Sequence, residues 1–311
     1  MKKSLIIASL VSSSLALGLS QASAQTSLKF SVPVNTTWTY VQKISTKTVP
    51  LDPVFTPEAG KKVPAKLEQS IKKGLGTSVS ATRNLITEKV VGIKDGSSTV
   101  SVNVTSTTAT VNNGQKPVKQ TSKWSFNRIY SIDGKVKISD FKYDTTGLKE
   151  PTLSALKNQT TNAQSTELAR FQQLYGLPLT IAALVGSSAE YTRTVIYDAK
   201  KPALNVKVST ARTFKGRGTK DQYIFKTNAT VNGYSYSKTV RKSDFTYNFD
   251  PAKSSSEDSY LPDGRLQSSS ATTTSTSTIS YLTTFAKVKV TVKLGFSSTT
   301  ETTTELQAES K

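Results

Sequence analysis

The chain has no cysteine and no histidine among its 311 residues. Zinc, copper and haem sites draw mainly on thiolate and imidazole, so no metal and no cofactor is expected. Ser-His-Asp and Cys-His nucleophiles cannot be assembled, and no side chain has an ordinary pKa near neutrality. No disulfide can form either, so the fold must rest on its own packed interior. Acids are scarce beside bases, 21 against 41, which leaves a net charge of +20. Apolar residues reach only 35%. So thin a supply suits antiparallel sheets with one wet face better than a parallel sheet buried on both.

The first 24 residues predict where the protein works. Lys2 and Lys3 form a positive start, Leu5 to Leu19 an apolar stretch, and Ala22-Ser23-Ala24 a small-residue cleavage signal. Residues 1–24 therefore read as a signal peptide cut after Ala24. The apolar stretch is shorter than the ~20 residues a bilayer needs and is interrupted by Ser9, Ser12, Ser13 and Ser14. No transmembrane helix is expected. No cysteine follows the cut, which excludes a lipid anchor, and no arginine pair marks the twin-arginine route. The expected location is periplasmic or extracellular.

Alternation then predicts strands. Val288, Val290, Val292 and Leu294 fall on one face, with Lys287, Lys289, Thr291 and Lys293 on the other. Val100, Val102 and Val104 alternate with polar residues, Trp38 and Tyr40 open an early strand, and Tyr191, Arg193, Val195 and Tyr197 share a face. Five turn dipeptides separate such runs: Asp95-Gly96, Asn113-Gly114, Asp133-Gly134, Asn232-Gly233 and Asp263-Gly264. The predicted fold is mainly β: long antiparallel meander sheets, curved or half-barrel, with one or two short helices.

Four segments are expected. The signal peptide is followed by a first β repeat over 25–150, a helical connection over 151–186 and a second β repeat over 187–311. The repeat rests on Ala109-Thr110-Val111-Asn112-Asn113-Gly114, which recurs as Ala229-Thr230-Val231-Asn232-Gly233. Each copy precedes a basic strand with aromatics and then an Asp-Gly turn. In the connection, Thr166 to Tyr175 places Leu168, Phe171 and Leu174 on one helical stripe, stopped by Gly176 and Pro178. Ala65 to Lys73, ended by Gly74, is a second helix candidate.

No catalytic constellation emerges. Four Ser-x-x-Lys pairs match the number that this much Ser and Lys gives at random, and their companion elements are missing. Asp140 with Asp144, and Glu257, Asp258 and Asp263 in an expected loop over 250–263, read as solvated turn acids. The Ser/Thr tracts 268–278 and 297–304 read as polar faces of long strands. The basic stretch Lys200 to Lys242 has only Asp221 as an acid and interleaves Lys215, Arg217 and Lys220 with Tyr223. Interleaved bases and aromatics can hold single-stranded nucleic acid, yet specific nucleic-acid recognition is not expected because lysine outnumbers arginine.

A signal peptide, the aromatic-led strand Trp38-Thr39-Tyr40, long antiparallel strands and a helix between two sheet segments resemble the exported lipoprotein-carrier architecture. That resemblance implies a curved sheet wrapping helices over an apolar cavity, with Leu168, Phe171 and Leu174 as lining residues. The expected function is a non-enzymatic cell-envelope protein binding a lipid-like or polyanionic ligand, the latter through Lys215, Arg217, Lys220 and Tyr223. A structural or adhesive surface protein, a carboxylate-based hydrolase and an outer-membrane β-barrel are the alternatives; oligomeric state is left open.

Overall fold

The structure is a computed structural model that describes residues 26–28, 30–112, 116–131, 136–144, 180–181, 185–186, 188–196, 205–219, 221–240 and 243–310. The signal peptide, the helix over 166–175 with Leu168, Phe171 and Leu174, the turns Asn113-Gly114 and Asp133-Gly134, and Lys220 lie outside the described residues.

The elements in chain order are β1 (Thr26–Ser27), β2 (Thr37–Pro50), β3 (Val54–Pro57), α1 (Ala65–Gly74), β4 (Ser78–Lys94), β5 (Ser97–Asn112), β6 (Val118–Tyr130), β7 (Val136–Tyr143) and β8 (Thr180–Ile181). They continue with β9 (Ser188–Ile196), β10 (Asn205–Arg217), β11 (Tyr223–Val231), β12 (Tyr234–Val240), β13 (Ser243–Phe249), β14 (Ala252–Tyr260), β15 (Leu266–Phe285) and β16 (Val288–Ser310). Fourteen strands form one antiparallel sheet in the order β7-β6-β5-β4-β2-β16-β15-β14-β11-β10-β9. On its flanks β3 pairs with β16, and the β12–β13 hairpin joins β15 through β13. Among the described residues β7 and β9 do not pair, so the sheet stays open. The last strand closes onto the first long one, β16 against β2.

Local chemistry accounts for most of these strands. Asp95 and Gly96 both take positive φ, +50° and +73°, the turn conformation that lets β4 fold straight back onto β5. Val100 and Val102 are fully buried, as alternation required, and so are Val290 and Val292. The tracts 268–278 and 297–304 are indeed strand, running opposite each other in β15 and β16. The helix expected over 65–73 forms as α1, and its Leu67 and Ile71 pack on Val290 and Val292. It opens after Pro64 and carries an exposed Glu68–Lys72 pair at 2.7 Å.

Two expectations fail. The span 250–263 is no loop: residues 252–260 form β14, pairing with both β11 and β15. Ser254, Ser256 and Asp258 on its inward side hide a strand whose buried face is largely polar. Asn232-Gly233 makes neither a turn nor a hairpin: β11 pairs with β14 and β12 with β13, and the antiparallel series β11-β14-β15-β13-β12 makes β11 and β12 run the same way. The dipeptide marks a break between strands without fixing the direction in which the chain leaves it.

The sheet curves around one main core. Tyr130 on β6 and Tyr260 on β14 are six strand spacings apart, about 29 Å along a flat sheet. Yet Tyr130 packs against the same core cluster that contains Tyr260, so the sheet must bend to bring its halves together. Trp38, Tyr40, Val100, Phe126, Phe214 and Phe225 belong to that core. Phe30 from the N-terminal segment seals it, stacked on Tyr130 at 4.3 Å. A smaller cluster around Val290 and Val292 lies under α1.

Candidate functional site

The curved sheet has a core-facing side and an outward side, and charge is sorted between them. Among the described residues five charged side chains are buried: Glu88, Arg128, Arg212, Asp258 and Arg265. Arg128 and Arg265 form ion pairs with carboxylates, while Arg212 and Asp258 are linked through the Thr227 hydroxyl. Arg128 meets Glu88 at 3.1 Å with both side chains almost wholly buried, and it donates to the Tyr130 hydroxyl at 2.7 Å. Burial pushes the Glu88 carboxyl above its ordinary value, against the opposing pull of Arg128 and the Trp38 indole N–H. Burial also raises the Tyr130 phenol to about 12.

The second buried set mirrors the first with charges exchanged. Asp258 accepts from Ser269 at 2.7 Å, Ser256 at 3.1 Å and Thr227 at 3.3 Å. Arg212 reaches it through Thr227, to which its Nε donates at 3.2 Å. In the first set the acid lies on β4 and the base on β6; in the second the base lies on β10 and the acid on β14. Each outlying partner sits two residues before a tyrosine, Arg128 before Tyr130 and Asp258 before Tyr260, and each tyrosine precedes Asp-Gly by three. The correspondence between halves therefore runs through Tyr-x-x-Asp-Gly. The Ala-Thr-Val copies end β5 and β11, the middle strands of the two sets, and in the second half the β12–β13 hairpin is interposed between β11 and β14.

Arg265 stands at the rim. Its guanidinium lies 2.7 Å from Asp263, 3.1 Å from Glu309 and 5.4 Å over the Trp38 ring. Beside it opens a shallow cleft of about 390 Å³ lined by Val32, Pro33, Val34, Thr36 and these three charged residues. The guanidinium is already answered by two carboxylates, so the cleft offers no spare positive charge.

The outward side is different. Lys43 and Lys47 on β2, Arg83 and Lys89 on β4, Lys289 and Lys293 on β16, Lys226 on β11, and Lys207 and Lys215 on β10 are all exposed there. The exposed acids facing the same way are few, among them Glu257, Glu301 and Glu305. Lys43 and Arg83 are direct cross-strand partners, an arrangement of like charges that weakens a sheet unless an anion intervenes.

Of the ligand residues expected from the basic stretch, Arg217 and Tyr223 are register partners on β10 and β11. The guanidinium donates to the Tyr223 hydroxyl at 3.2 Å and lies 5.0 Å from its ring centre. Lys215 is exposed on β10. Arg212, from the same stretch, is buried and belongs to the inner network. The sequence also missed Lys43 and Arg83, because only strand pairing brings them together.

Beyond the aromatic core the inner side turns into a hydroxyl-lined surface. Thr46 bonds Thr300 at 3.0 Å, Thr48 bonds Ser298 at 2.9 Å and Thr82 bonds Thr108 at 2.9 Å. Further along, β12 and β13 carry stacked rings: Tyr234 on Phe249 at 4.6 Å and Tyr236 on Tyr247 at 4.8 Å. Asp140, expected as a solvated turn acid, is exposed on β7 and accepts from Asn127 and Ser139.

Neither a family model nor a curated protein matches the chain. Among solved structures, a triple mutant of the Rh. blastica porin aligns over 84% of this chain and 99% of its own, at 9% identity and a TM-score of 0.19. Likeness at that score carries no argument. Among the described residues no helix is long and apolar enough to cross a membrane, and no group of acids is placed to hold a metal ion.

Proposed function

We propose that this is a non-enzymatic envelope protein that holds an acidic, phosphate-bearing ligand against the outward side of its curved sheet. The sorting of charge carries the reading. Inward charges cancel, so the excess of lysine and arginine is delivered to one broad surface, where it raises the local concentration of polyanions. Lysine is a point charge without the fork of arginine, so contacts would follow charge density and ignore sequence or stereochemistry. A hydrolase is poorly supported, because Asp258 is sealed in the core and Asp140 stands in solvent beside amide and hydroxyl donors. A membrane-spanning barrel would press Lys43, Lys47 and Arg83 against lipid, at roughly 2–4 kcal/mol each near the bilayer midplane.

Binding of long-chain polyphosphate, followed over a salt series, tests this. Each phosphate neutralised releases counterions, so affinity should fall by orders of magnitude from low to moderate salt. Replacing Lys43, Arg83 and Lys226 together with Gln should weaken binding and flatten the salt slope. The same three-charge change at Lys61, Lys62 and Lys66 should leave most of it. Equal losses in both variants would mean that net charge alone matters, and no binding at low salt would end the reading.

A further inference from the structure

We propose that the free end of the β15–β16 hairpin is a docking element for a lipid surface with anionic headgroups. It shares only Lys289 with the polyanion-binding face and does not depend on it. These are the two longest strands, and they outrun their neighbours. On one side β13 ends its pairing with β15 at Tyr281; on the other β3 ends its pairing with β16 at Val290. The last rungs, from Leu282 opposite Thr291 to Phe285 opposite Val288, therefore have no third strand on the β15 side among the described residues.

Past Val290 the hairpin is two-stranded, and such a projection is marginal in water and gains little from apolar side chains. Its end nonetheless presents Phe285 at 37% exposure, with Leu282 at 55% on the opposite face just inside it, where β3 still pairs with Thr291. Ala286 and Lys287 form the turn, both in the left-handed region at +49° and +65°, and Lys287 and Lys289 are exposed beside the apolar pair. No acid occurs between Asp263 and Glu301, so nothing on the hairpin itself offsets those lysines. The flanking elements add Glu58 and Asp244 but also Lys61, Lys62 and Lys66. At the root, Tyr281 packs on Phe245 at 5.2 Å, and tyrosines of this kind prefer the boundary between headgroups and water. Apolar tips ringed by lysine fit an anionic bilayer: Leu282 and Phe285 enter the acyl boundary while the ammonium groups meet phosphate.

The absence of native cysteine makes the test direct. Phe285→Cys gives a single thiol for an environment-sensitive dye, and Ser270→Cys, exposed on the outward side of β15, gives a control position. On vesicles of phosphatidylglycerol and phosphatidylcholine the dye at 285 should shift to the blue and become shielded from iodide, while the dye at 270 should not. Pure phosphatidylcholine vesicles should give a much weaker response. A response at 270 alone, or at neither position, would overturn the proposal. Leu282→Ser with Phe285→Ser should reduce co-sedimentation with the anionic vesicles about tenfold and leave polyphosphate binding unchanged. If that variant sediments like the parent, the tip is not the docking element, whatever the polyphosphate result. If polyphosphate fails to bind while vesicle docking persists, only the proposed function falls.

Discussion

Glu88 and Arg128 lie 40 residues apart in the chain and two strands apart in the sheet. Their pairing inside an aromatic core is costly to assemble, since both ions lose water, and costly to break, since either alone would be an unanswered buried charge. Arg128→Met should therefore destabilise the protein by about 3–5 kcal/mol, while Arg128→Met with Glu88→Leu should recover much of that loss. Denaturant melts of the two variants and the parent check it. A pH dependence follows from the raised Glu88 carboxyl. Folded Glu88 holds its proton more tightly than unfolded Glu88, so its contribution is greatest below the ordinary carboxylate range and falls as pH rises through the raised value. Melting temperatures across that window should show this loss in the parent and not in Glu88→Gln.

Among the elements, the two long hairpins reveal different rules. Between β4 and β5 the turn is Asp95-Gly96, the residue types that tolerate positive φ. Between β15 and β16 the same backbone is made by Ala286-Lys287, where side chains work against the left-handed region. Ala286→Asn with Lys287→Gly should relieve this, raising stability by about 1 kcal/mol in thermal melts. No change would mean that the hairpin end contributes nothing to global unfolding. The first turn was readable and the second was not, since nothing in Ala-Lys announces a reversal. The alternating Val288, Val290, Val292 and Leu294 nevertheless revealed which side of β16 was buried.

At the scale of the molecule, β16 is the seam. It pairs with β2 over almost the whole of that strand and with β15 over eighteen rungs, joining the sheet's two halves. Ending the chain at Phe296 would strip β2 of nearly all that pairing and open the core along its middle. The truncated protein should lose its cooperative melt while keeping strand-rich circular dichroism in part. A sharp melt near the parent temperature would show that each half folds alone.

The strands, their buried faces and helix α1 followed from the sequence because period-2 and i,i+4 spacing are local properties of the backbone. The absence of histidine and cysteine excluded whole chemistries before any fold was known. Partnership did not follow. That β14 is a strand, that Asp258 and Arg212 are internal, and that Lys43 meets Arg83 all depend on which strand lies beside which. Pairing is decided by the chain closing on itself, when burial of the aromatic core selects one register from many. The sequence could count the charges; only the curvature of the sheet decided which of them would cancel inside and which would face outward together.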